Sequence, residues 1–147
     1  PNYGTLTQTD DKFPIYEYCV NNNSNYDYII ITYGGMAKIS YEVINRLFEK
    51  EQVRGKLIVP TNISDFDYIK ERNILKEGET LITIEEGNET GGFGAEVITN
   101  ANLISNFNHL RISKETGIIP NSRNLENKVL PTEDSIYAKI VNFLQQI

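Results

Sequence analysis

Residues 85–97 read EEGNETGGFGAEV and combine four glutamates with four glycines, residue types that could do chemistry in three ways. Backbone N–H groups of glycines at the start of a helix bind anions such as phosphate. Two neighbouring carboxylates can act as general acid and general base. A loop that carries an aromatic residue can also contact another protein. The spacing of these residues, and the elements that position them, must decide among the three functions.

A phosphate site would depend on the glycines, which lie where a helix is expected to begin. The backbone N–H groups of Gly91, Gly92 and Gly94 could then face an anion. The run, however, lacks the Lys-[Ser/Thr] pair of a P-loop, and GGFG does not have the G-x-G-x-x-G spacing. Negative charge on Glu85 and Glu86 would repel a phosphate, so the sequence gives this function little support.

A catalytic carboxylate pair would depend on Glu85 and Glu86, which stand at the end of a predicted strand. Successive side chains of a strand point to opposite faces of the sheet. The two carboxylates would therefore not share one substrate without a bend in the strand. We expect one glutamate to accept hydrogen bonds from nearby backbone N–H groups and the other to be solvated, and we predict no catalytic residue here.

The chain has one histidine, His109, and one cysteine, Cys19. No Cys–His pair or His/Cys cluster surrounds His109, so neither a metal site nor a catalytic triad is predicted. Cys19 lies in a predicted strand and is expected to be a small apolar filler. A lone cysteine cannot form an internal disulfide, which fits a reducing compartment and predicts a cytoplasmic protein.

Length and composition indicate a single globular domain. The chain has 147 residues, of which 39% are hydrophobic, and a net charge of −6. This acidic balance, with no basic run, argues against a nucleic-acid surface and against a polybasic membrane patch. No apolar run approaches the roughly 20 residues that span a bilayer. Nucleic acids and membranes are therefore not expected among its partners.

Hydrophobic periodicity predicts strands that alternate with helices. Strands are predicted at residues 15–19, 28–33, 56–60, 80–86 and 109–113. Helices are predicted after Gly34-Gly35, over 65–72 behind a Ser64-x-x-Asp67 capping box, over 93–105, and after Thr132. Such alternation indicates an α/β sandwich with four parallel strands, and strand 15–19 is expected at an edge. The rest of residues 1–27 is predicted to be an irregular N-terminal extension of a domain over 28–147.

Apolar residues at helical spacing predict which helix faces are buried. In the first long helix the expected stripe is Met36, Ser40, Val43, Ile44 and Leu47. In the helix after the glycines it is Val97, Ile98, Ala101 and Ile104. In the last helix it is Ile136, Ile140, Val141, Leu144 and Ile147.

Three ordered segments carry a resemblance to a known family. They read IIITYGGMAKISYEVINRLFEKE, TLITIEEGNETGGFGAEV and LENKVLPTEDSIYAKIVNFL. Together they resemble the C-terminal domain of the transketolase-like thiamine-diphosphate enzymes, in particular the beta subunit of 2-oxo-acid dehydrogenase first components. The similarity covers roughly residues 28–144, and its most specific element is the run from Glu85 to Gly94. The resemblance implies a three-layer α/β/α sandwich whose mixed, mostly parallel five-stranded sheet has one antiparallel edge strand.

The resemblance also implies a role in assembly. Enzymes of this family bind thiamine diphosphate and magnesium in pyrimidine and diphosphate domains, which this chain lacks, so no cofactor-binding residue is assigned here. The expected partners are those two domains, further copies of the chain in a homo-oligomer and, in a dehydrogenase complex, an acyltransferase core. Two alternatives remain open: a transketolase or deoxyxylulose-phosphate synthase domain, and a free-standing binding module without catalysis.

The glycine-rich run is then expected to face a partner. We expect Glu86, Gly91, Gly92 and Phe93 to form this surface, with Glu85 and Gly94 beside them. Phe93 stands among glycines and is expected to have little cover of its own. An exposed aromatic residue of this kind would suit the buried centre of an interface.

Overall fold

The computed structural model of the chain describes residues 3–10, 12–21, 26–76, 78–88, 92–103, 106–114 and 131–147. The strands among these residues are β1 (Gly4–Gln8), β2 (Ile15–Val20), β3 (Tyr28–Thr32), β4 (Gly55–Pro60), β5 (Thr80–Asn88) and β6 (Asn108–Lys114). The helices in the same part of the chain are α1 (Met36–Glu51), α2 (Tyr68–Glu71), α3 (Phe93–Asn102) and α4 (Glu133–Gln146).

The six described strands form one mixed sheet with the order β1-β2-β4-β3-β5-β6. β3 is parallel to both β4 and β5, and β5 is parallel to β6. β2 pairs antiparallel with β1 and with β4. The chain moves from β3 to one side to form β4 and then crosses back to form β5 on the other side. This arrangement confirms the predicted α/β class and its four parallel strands.

Helices cover both faces of the sheet and produce two apolar cores. On one face, α1 and α4 pack over a cluster that includes Ile30. On the other face, α2 and α3 pack over a cluster that includes Ile29 and Ile31. Consecutive isoleucines of β3 thus belong to different cores, as strand alternation requires. The result is the expected three-layer sandwich, whose two sides we call the α1 face and the α3 face.

The N-terminal residues contribute more structure than predicted. β1 pairs with β2 along its length, so β1 is the edge strand and β2 is not. The sheet therefore has six described strands instead of five, and the one strand that runs opposite to the others, β2, lies inside the edge instead of at it. β1 was not predicted because Leu6 is its only apolar side chain and four of its five residues are exposed. The domain boundary at residue 28 stays a prediction.

The buried faces of α1 and α3 agree with the predicted stripes. All five stripe residues of α1 are buried, and so are Val97, Ile98 and Ala101 of α3. α3 ends at Asn102, earlier than predicted, and residues 104–105 lie outside the described residues. Apolar spacing therefore identified the faces of these helices better than their ends.

α4 buries its predicted stripe fully at two positions and partly at Val141 and Leu144, but not at its last residue. Ile136 and Ile140 are buried, whereas Ile147 is 56% exposed because α4 has already ended. Thr132 caps the helix as predicted, since its side-chain oxygen accepts a hydrogen bond from the backbone N–H of Ser135 at 3.1 Å. The cap fixes the start of the helix, and the two buried isoleucines fix its inner face.

The capping box predicted at Ser64-x-x-Asp67 is wrong. α2 spans only Tyr68–Glu71 and has no side-chain cap hydrogen bond. Oδ1 of Asn62 accepts a hydrogen bond from the backbone N–H of Ser64 at 3.1 Å, and Oδ1 of Asp65 accepts one from Asp67 at 3.0 Å. These local turns satisfy backbone groups that a longer helix would have used.

Tyr28 fixes the packing of β3 on β4. Its side chain is 1% exposed and its ring lies against Gly55, its partner in the register. A Cβ at Gly55 would overlap this ring, so the position requires glycine. The Tyr28 hydroxyl is buried and has no hydrogen-bond partner among the described residues. Burial, followed by the nearby charge of Asp27, raises the pKa of Tyr28 well above its ordinary value of 10.0.

Replacing Tyr28 by Phe removes this hydroxyl and keeps the ring. We expect the free energy of unfolding at about pH 7 to stay level or to rise by up to about 1 kcal/mol. In the unfolded chain Tyr28 loses its proton near pH 10, whereas the folded chain keeps it. The wild type therefore loses stability as the pH rises through this range, and the variant should lose less. Urea unfolding at about pH 7 and about pH 10.5 measures both effects.

Tyr137→Phe is the matched control for this experiment. The Tyr137 hydroxyl donates a hydrogen bond to Glu51 at 2.8 Å, so its removal should lower the stability at neutral pH. A loss of stability in Tyr28→Phe as large as that in the control would show that the Tyr28 hydroxyl has a partner after all.

Candidate functional site

The glycine-rich run begins where two neighbouring parallel strands end. β3 ends at Thr32 and β5 at Asn88, at the same edge of the sheet. From β3 the chain crosses to β4 on one side, and from β4 it crosses over β3 to β5 on the other side. The carboxyl ends of β3 and β5 therefore form a topological switch point, where α/β proteins usually bind ligands. We call the described residues at this place, 32–35, 83–86 and 92–94, the β3–β5 junction.

Glu85 lies on the α3 face of the junction and is 1% exposed. Its Oε1 accepts a hydrogen bond from the backbone N–H of Gly94 at 3.0 Å and lies 3.3 Å from Nη2 of Arg111. Arg111 belongs to β6, and its side chain is 22% exposed. One buried carboxylate thus connects β5, the first turn of α3 and β6. The Arg111 charge and the positive end of the α3 dipole both attract a carboxylate at this position.

Gly94 allows α3 to approach this ion pair closely. A Cβ at this position would lie 2.6 Å from Oγ1 of Thr83, 2.9 Å from Oε1 of Glu85 and 3.1 Å from Nε of Arg111. Two of these distances are shorter than real Cβ contacts, so any other residue would displace the polar atoms or the helix. The glycine is therefore required by the space around it.

Glu86 is exposed and lies on the other side of the sheet, beside the start of α1. A Cβ on Gly35, the N-cap residue of α1, would lie 3.1 Å from Oε1 of Glu86. α1 has no side-chain cap and no acidic residue in its first turn. Glu86 therefore supplies the negative charge that the positive end of this helix attracts.

The two glutamates behave as strand alternation predicts. One accepts a backbone hydrogen bond and the other is exposed, and each stands at the start of a different helix. They lie on opposite faces of the sheet, so they do not form an acid–base pair around one substrate. The Glu85 carboxylate already occupies the position that a phosphate bound to the Gly94 N–H would take. The negative charge of the carboxylate would also repel the phosphate.

Phe93 is covered by its own chain, so the expectation that it lacks cover is wrong. The side chain is 8% exposed. Its ring centroid lies 4.7 Å from that of Tyr33 and 5.8 Å from that of Phe66. Burial, together with the charges of Glu85 and Glu86, raises the pKa of the half-buried Tyr33. Phe93 therefore belongs to the core of the α3 face, and a partner-facing role for the run stays a prediction.

The remaining glycines of the run are less informative. Gly92 is the N-cap of α3, and its backbone is extended, with φ −85° and ψ −176°. Any residue adopts this conformation, so glycine is not required there by backbone strain. Gly91 lies outside the described residues.

The other single-residue candidates do not assemble into a site. His109 is exposed on β6, with its ring 5.8 Å from that of Phe107. Cys19 is half-buried on β2, and burial raises the pKa of its thiol. The part of the chain that the structure describes contains no group of three His, Cys, Asp or Glu residues that could hold a metal ion. None of its helices has both the length and the apolar character needed to cross a bilayer.

A family model supplies the deciding comparison. The model described as transketolase, C-terminal domain, matches residues 17–136. The chain belongs to the transketolase C-terminal domain family.

Individual relatives agree with this membership. The chain is 33% identical over 69 residues to a 1-deoxy-D-xylulose-5-phosphate synthase from Brevibacillus brevis, which covers 47% of this chain and 11% of that protein. A split-gene transketolase, described as an inactive beta4 tetramer, has a TM-score of 0.68 and 18% identity over 99% of this chain and 43% of its own.

A 2-oxoglutarate:ferredoxin oxidoreductase from Magnetococcus marinus has the same fold, with a TM-score of 0.54 and 16% identity over 87% of this chain and 19% of its own. In each of these three comparisons the chain spans less than half the length of the other protein.

Sequence reasoning missed two residues at the junction of this transketolase C-terminal domain. Arg111 is the partner of Glu85, and Thr83 lies beside both Gly94 and Glu85. The position of Arg111 between the apolar residues Leu110 and Ile112 is the signal that could have identified it, because a charge that is buried needs a partner. No feature of the sequence identified Thr83 as a residue of this site.

Removing the Glu85 charge tests the ion pair. Glu85→Gln keeps the side-chain volume and an acceptor for the Gly94 N–H but removes the negative charge that lies 3.3 Å from Arg111. Breaking a fully buried pair costs about 3–5 kcal/mol. Because Arg111 keeps contact with water, we expect the free energy of unfolding to fall by about 2 kcal/mol. Urea denaturation measures the loss, and Glu86→Gln, at the exposed neighbour, should change little. Equal effects of the two substitutions would contradict this role of Glu85.

A methyl group at Gly94 tests the close approach of α3. Ala is a better helix former than Gly by about 1 kcal/mol, but the added Cβ must displace the polar atoms around it, which costs about 1–3 kcal/mol. The two effects together predict that Gly94→Ala lowers the unfolding free energy by up to about 2 kcal/mol. Gly35→Ala is the control, because its Cβ meets only the exposed carboxylate of Glu86. A Gly94→Ala variant more stable than the wild type would refute the packing argument.

Proposed function

We propose that this chain is the C-terminal assembly domain of a thiamine-diphosphate-dependent enzyme. The observation that carries the proposal is the family match over residues 17–136. A solved transketolase chain that contains this fold over 99% of the present residues supports it. In this role the domain holds other domains or subunits in place, while the reaction takes place elsewhere in the enzyme.

The geometry of the junction supports a role in assembly over a role in catalysis. A catalytic carboxylate would need access to a substrate, and Glu85 is 1% exposed and bound to Gly94 and Arg111. Glu86 is exposed, but it stands on the other face beside Gly35. The polar groups at the switch point thus stabilise the start of two helices, a use that is structural.

The described residues do not fit thiamine diphosphate and its magnesium ion. A diphosphate would need N–H donors or cations, but the Gly94 N–H and Arg111 already face the Glu85 carboxylate. Magnesium prefers clustered oxygen ligands, and the described part of the chain has no group of three residues able to hold a metal. We assign the cofactor and its metal to pyrimidine and diphosphate domains of the complete enzyme.

Two reactions are candidates for that enzyme. The run from Glu85 to Gly94 favours a decarboxylating 2-oxo-acid dehydrogenase with a beta-type component. The 33% identity over 69 residues to a 1-deoxy-D-xylulose-5-phosphate synthase favours the second candidate, a ketol-transferring enzyme. In both, the cofactor supplies the chemistry, and the protein supplies binding and placement.

The proposed partners follow from the role in assembly. They are the pyrimidine and diphosphate domains, further copies of the chain and, in a dehydrogenase, an acyltransferase core. The description of one structural neighbour as a beta4 tetramer supports self-association of chains that contain this fold. We propose the cytoplasm as the compartment, on the basis of the free thiol of Cys19.

Three observations test this function. The coding sequence next to Pro1 should encode a thiamine-binding pyrimidine domain. Isothermal calorimetry of the 147-residue chain with thiamine diphosphate and magnesium should show no binding heat. The complete enzyme should then either reduce an artificial electron acceptor with a 2-oxo acid or transfer a ketol group between sugars, which separates the two candidates. Tight cofactor binding by this chain, or a gene that encodes only these residues, would refute the proposal.

A further inference from the structure

A groove of about 450 Å³ lies where β4 ends, between α2 and the residues that lead into β2. Ile15 and Pro60, which are paired in neighbouring strands, line it together with Tyr68 of α2. Phe13 also lines it and is 54% exposed. The groove is large enough for a small molecule. It lies at the carboxyl end of a parallel strand, which is the usual side for ligands in this class of sheet.

The described residues around the groove carry two charges of each sign. Lys12 and Arg72 are cationic, and Asp65 and Glu71 are anionic. Lys12, Asp65 and Glu71 form no ion pair within the described part of the chain. The groove is therefore electrically balanced, although the chain as a whole carries −6, and three of its charges are available to a ligand.

Arg72 has a partner within the chain but keeps the capacity for another. Its Nη2 lies 3.5 Å from Oε1 of Glu17, and Oε2 of Glu17 lies 3.9 Å from Nζ of Lys56. Because Glu17 and Lys56 are opposite in sign, together they add no net charge beside the groove. The Arg72 side chain is 38% exposed, and a guanidinium has further N–H donors. Arg72 can therefore bind a carboxylate without releasing Glu17.

Tyr68 contributes a polar group that lacks a partner in the described structure. Its side chain is 6% exposed, and its hydroxyl is buried with no hydrogen-bond partner among the described residues. Burial, followed by the nearby charge of Asp65, raises the pKa of Tyr68 well above its ordinary value of 10.0. The hydroxyl therefore keeps its proton at neutral pH. Buried polar groups are normally hydrogen-bonded, so an orphan donor beside a groove favours a ligand with acceptor atoms.

The balance of charges favours a ligand that carries both signs. An anion such as phosphate would be attracted by Lys12 and Arg72 but repelled by the two carboxylates. An amine would be attracted by Asp65 and Glu71 but repelled by the two cations. A zwitterion gains from both pairs. An α-amino acid holds a carboxylate and an ammonium group on one carbon, and an apolar side chain on it would bury the exposed ring of Phe13.

We propose that this groove binds a free α-amino acid with an apolar side chain. The ligand carboxylate faces the two cations, the ammonium group faces the two carboxylates, and the side chain packs on the Phe13 ring. The inference goes beyond the proposed function, because binding at this groove requires neither thiamine diphosphate nor another domain.

Three ligands that share one ring test the proposal on the 147-residue chain. L-phenylalanine should bind saturably in a nuclear magnetic resonance titration, with shift changes at residues 12–15, 60–65 and 68–72. Phenethylamine lacks the carboxylate, and 3-phenylpropionate lacks the ammonium group. Each should bind at least about tenfold more weakly than L-phenylalanine, because each loses one charge-assisted contact. Inorganic phosphate should not displace L-phenylalanine.

Charge-removing variants with matched controls test the assigned residues. Lys12→Gln and Glu71→Gln change exposed side chains, so both variants should keep the wild-type melting temperature. Each should raise the dissociation constant for L-phenylalanine about three- to fivefold. Lys12→Gln should not weaken the binding of phenethylamine, which has no carboxylate to lose. Lys38→Gln and Glu42→Gln are the controls, because both residues are exposed on α1 and α1 covers the other face of the sheet.

Several outcomes would overturn the proposal: no saturable binding of L-phenylalanine, equal affinity for the three ligands, shift changes centred elsewhere, or equal effects of Lys12→Gln and Lys38→Gln. Tighter binding of inorganic phosphate would show a simple anion site, and the assignment of a zwitterion would be wrong. Each of these results leaves the proposed function standing. Tight binding of thiamine diphosphate would contradict that function and leave this groove unaffected.

Discussion

The buried carboxylate of Glu85 is the constraint on which the carboxyl edge of this sheet depends. It stands 3.0 Å from the Gly94 N–H and 3.3 Å from the Arg111 guanidinium, so it connects one strand to the helix that follows it and to the next strand. A carboxylate that is 1% exposed must keep both partners, because an uncompensated buried charge is costly. This requirement places the first turn of α3 against the sheet, leaves no room for a side chain at Gly94 and brings Phe93 onto Tyr33.

The same constraint explains how the described glutamates at this switch point are used within the chain. Open α/β sheets bind ligands there because helix N-termini offer unsatisfied N–H groups and a positive potential. In this chain the two helices that begin at the junction each face a glutamate of the chain itself, Glu85 for α3 and Glu86 for α1. Strand alternation allows consecutive residues to serve helices on opposite faces. The two glutamates therefore provide the negative charge that an external anion would otherwise bring to the N-termini of α3 and α1.

Sequence reasoning succeeded where the apolar residues repeat with a clear helix or strand period. It failed where a contact joins residues far apart in the sequence, or where a local turn replaces part of a predicted helix. The continuous apolar run of β3, the stripe of α1 and the Thr132 cap were all predictable. β1 has a single apolar side chain, and the first turn predicted for α2 is replaced by local turns in which Asn62 and Asp65 accept hydrogen bonds from the backbone. Strand alternation predicted that the side chains of Glu85 and Glu86 would lie on opposite faces of the sheet. It could not identify Arg111 as the partner or show that Phe66 covers Phe93, because those contacts join residues far apart in the sequence.

The carboxyl ends of β3 and β5 and the side of the sheet formed by β1 and β2 therefore differ in the groups that they expose. At the carboxyl edge of β3 and β5, charge and aromatic rings are already paired within the chain. At the antiparallel end, β1 and β2 extend beyond the cover of α1 and leave Leu6 exposed beside an apolar groove. Apolar area that remains in contact with water can stabilise a complex when it is buried, whereas groups already paired gain little from a new contact. The apolar area that the helices leave uncovered therefore lies at the antiparallel end of the sheet, away from the paired groups of the carboxyl edge.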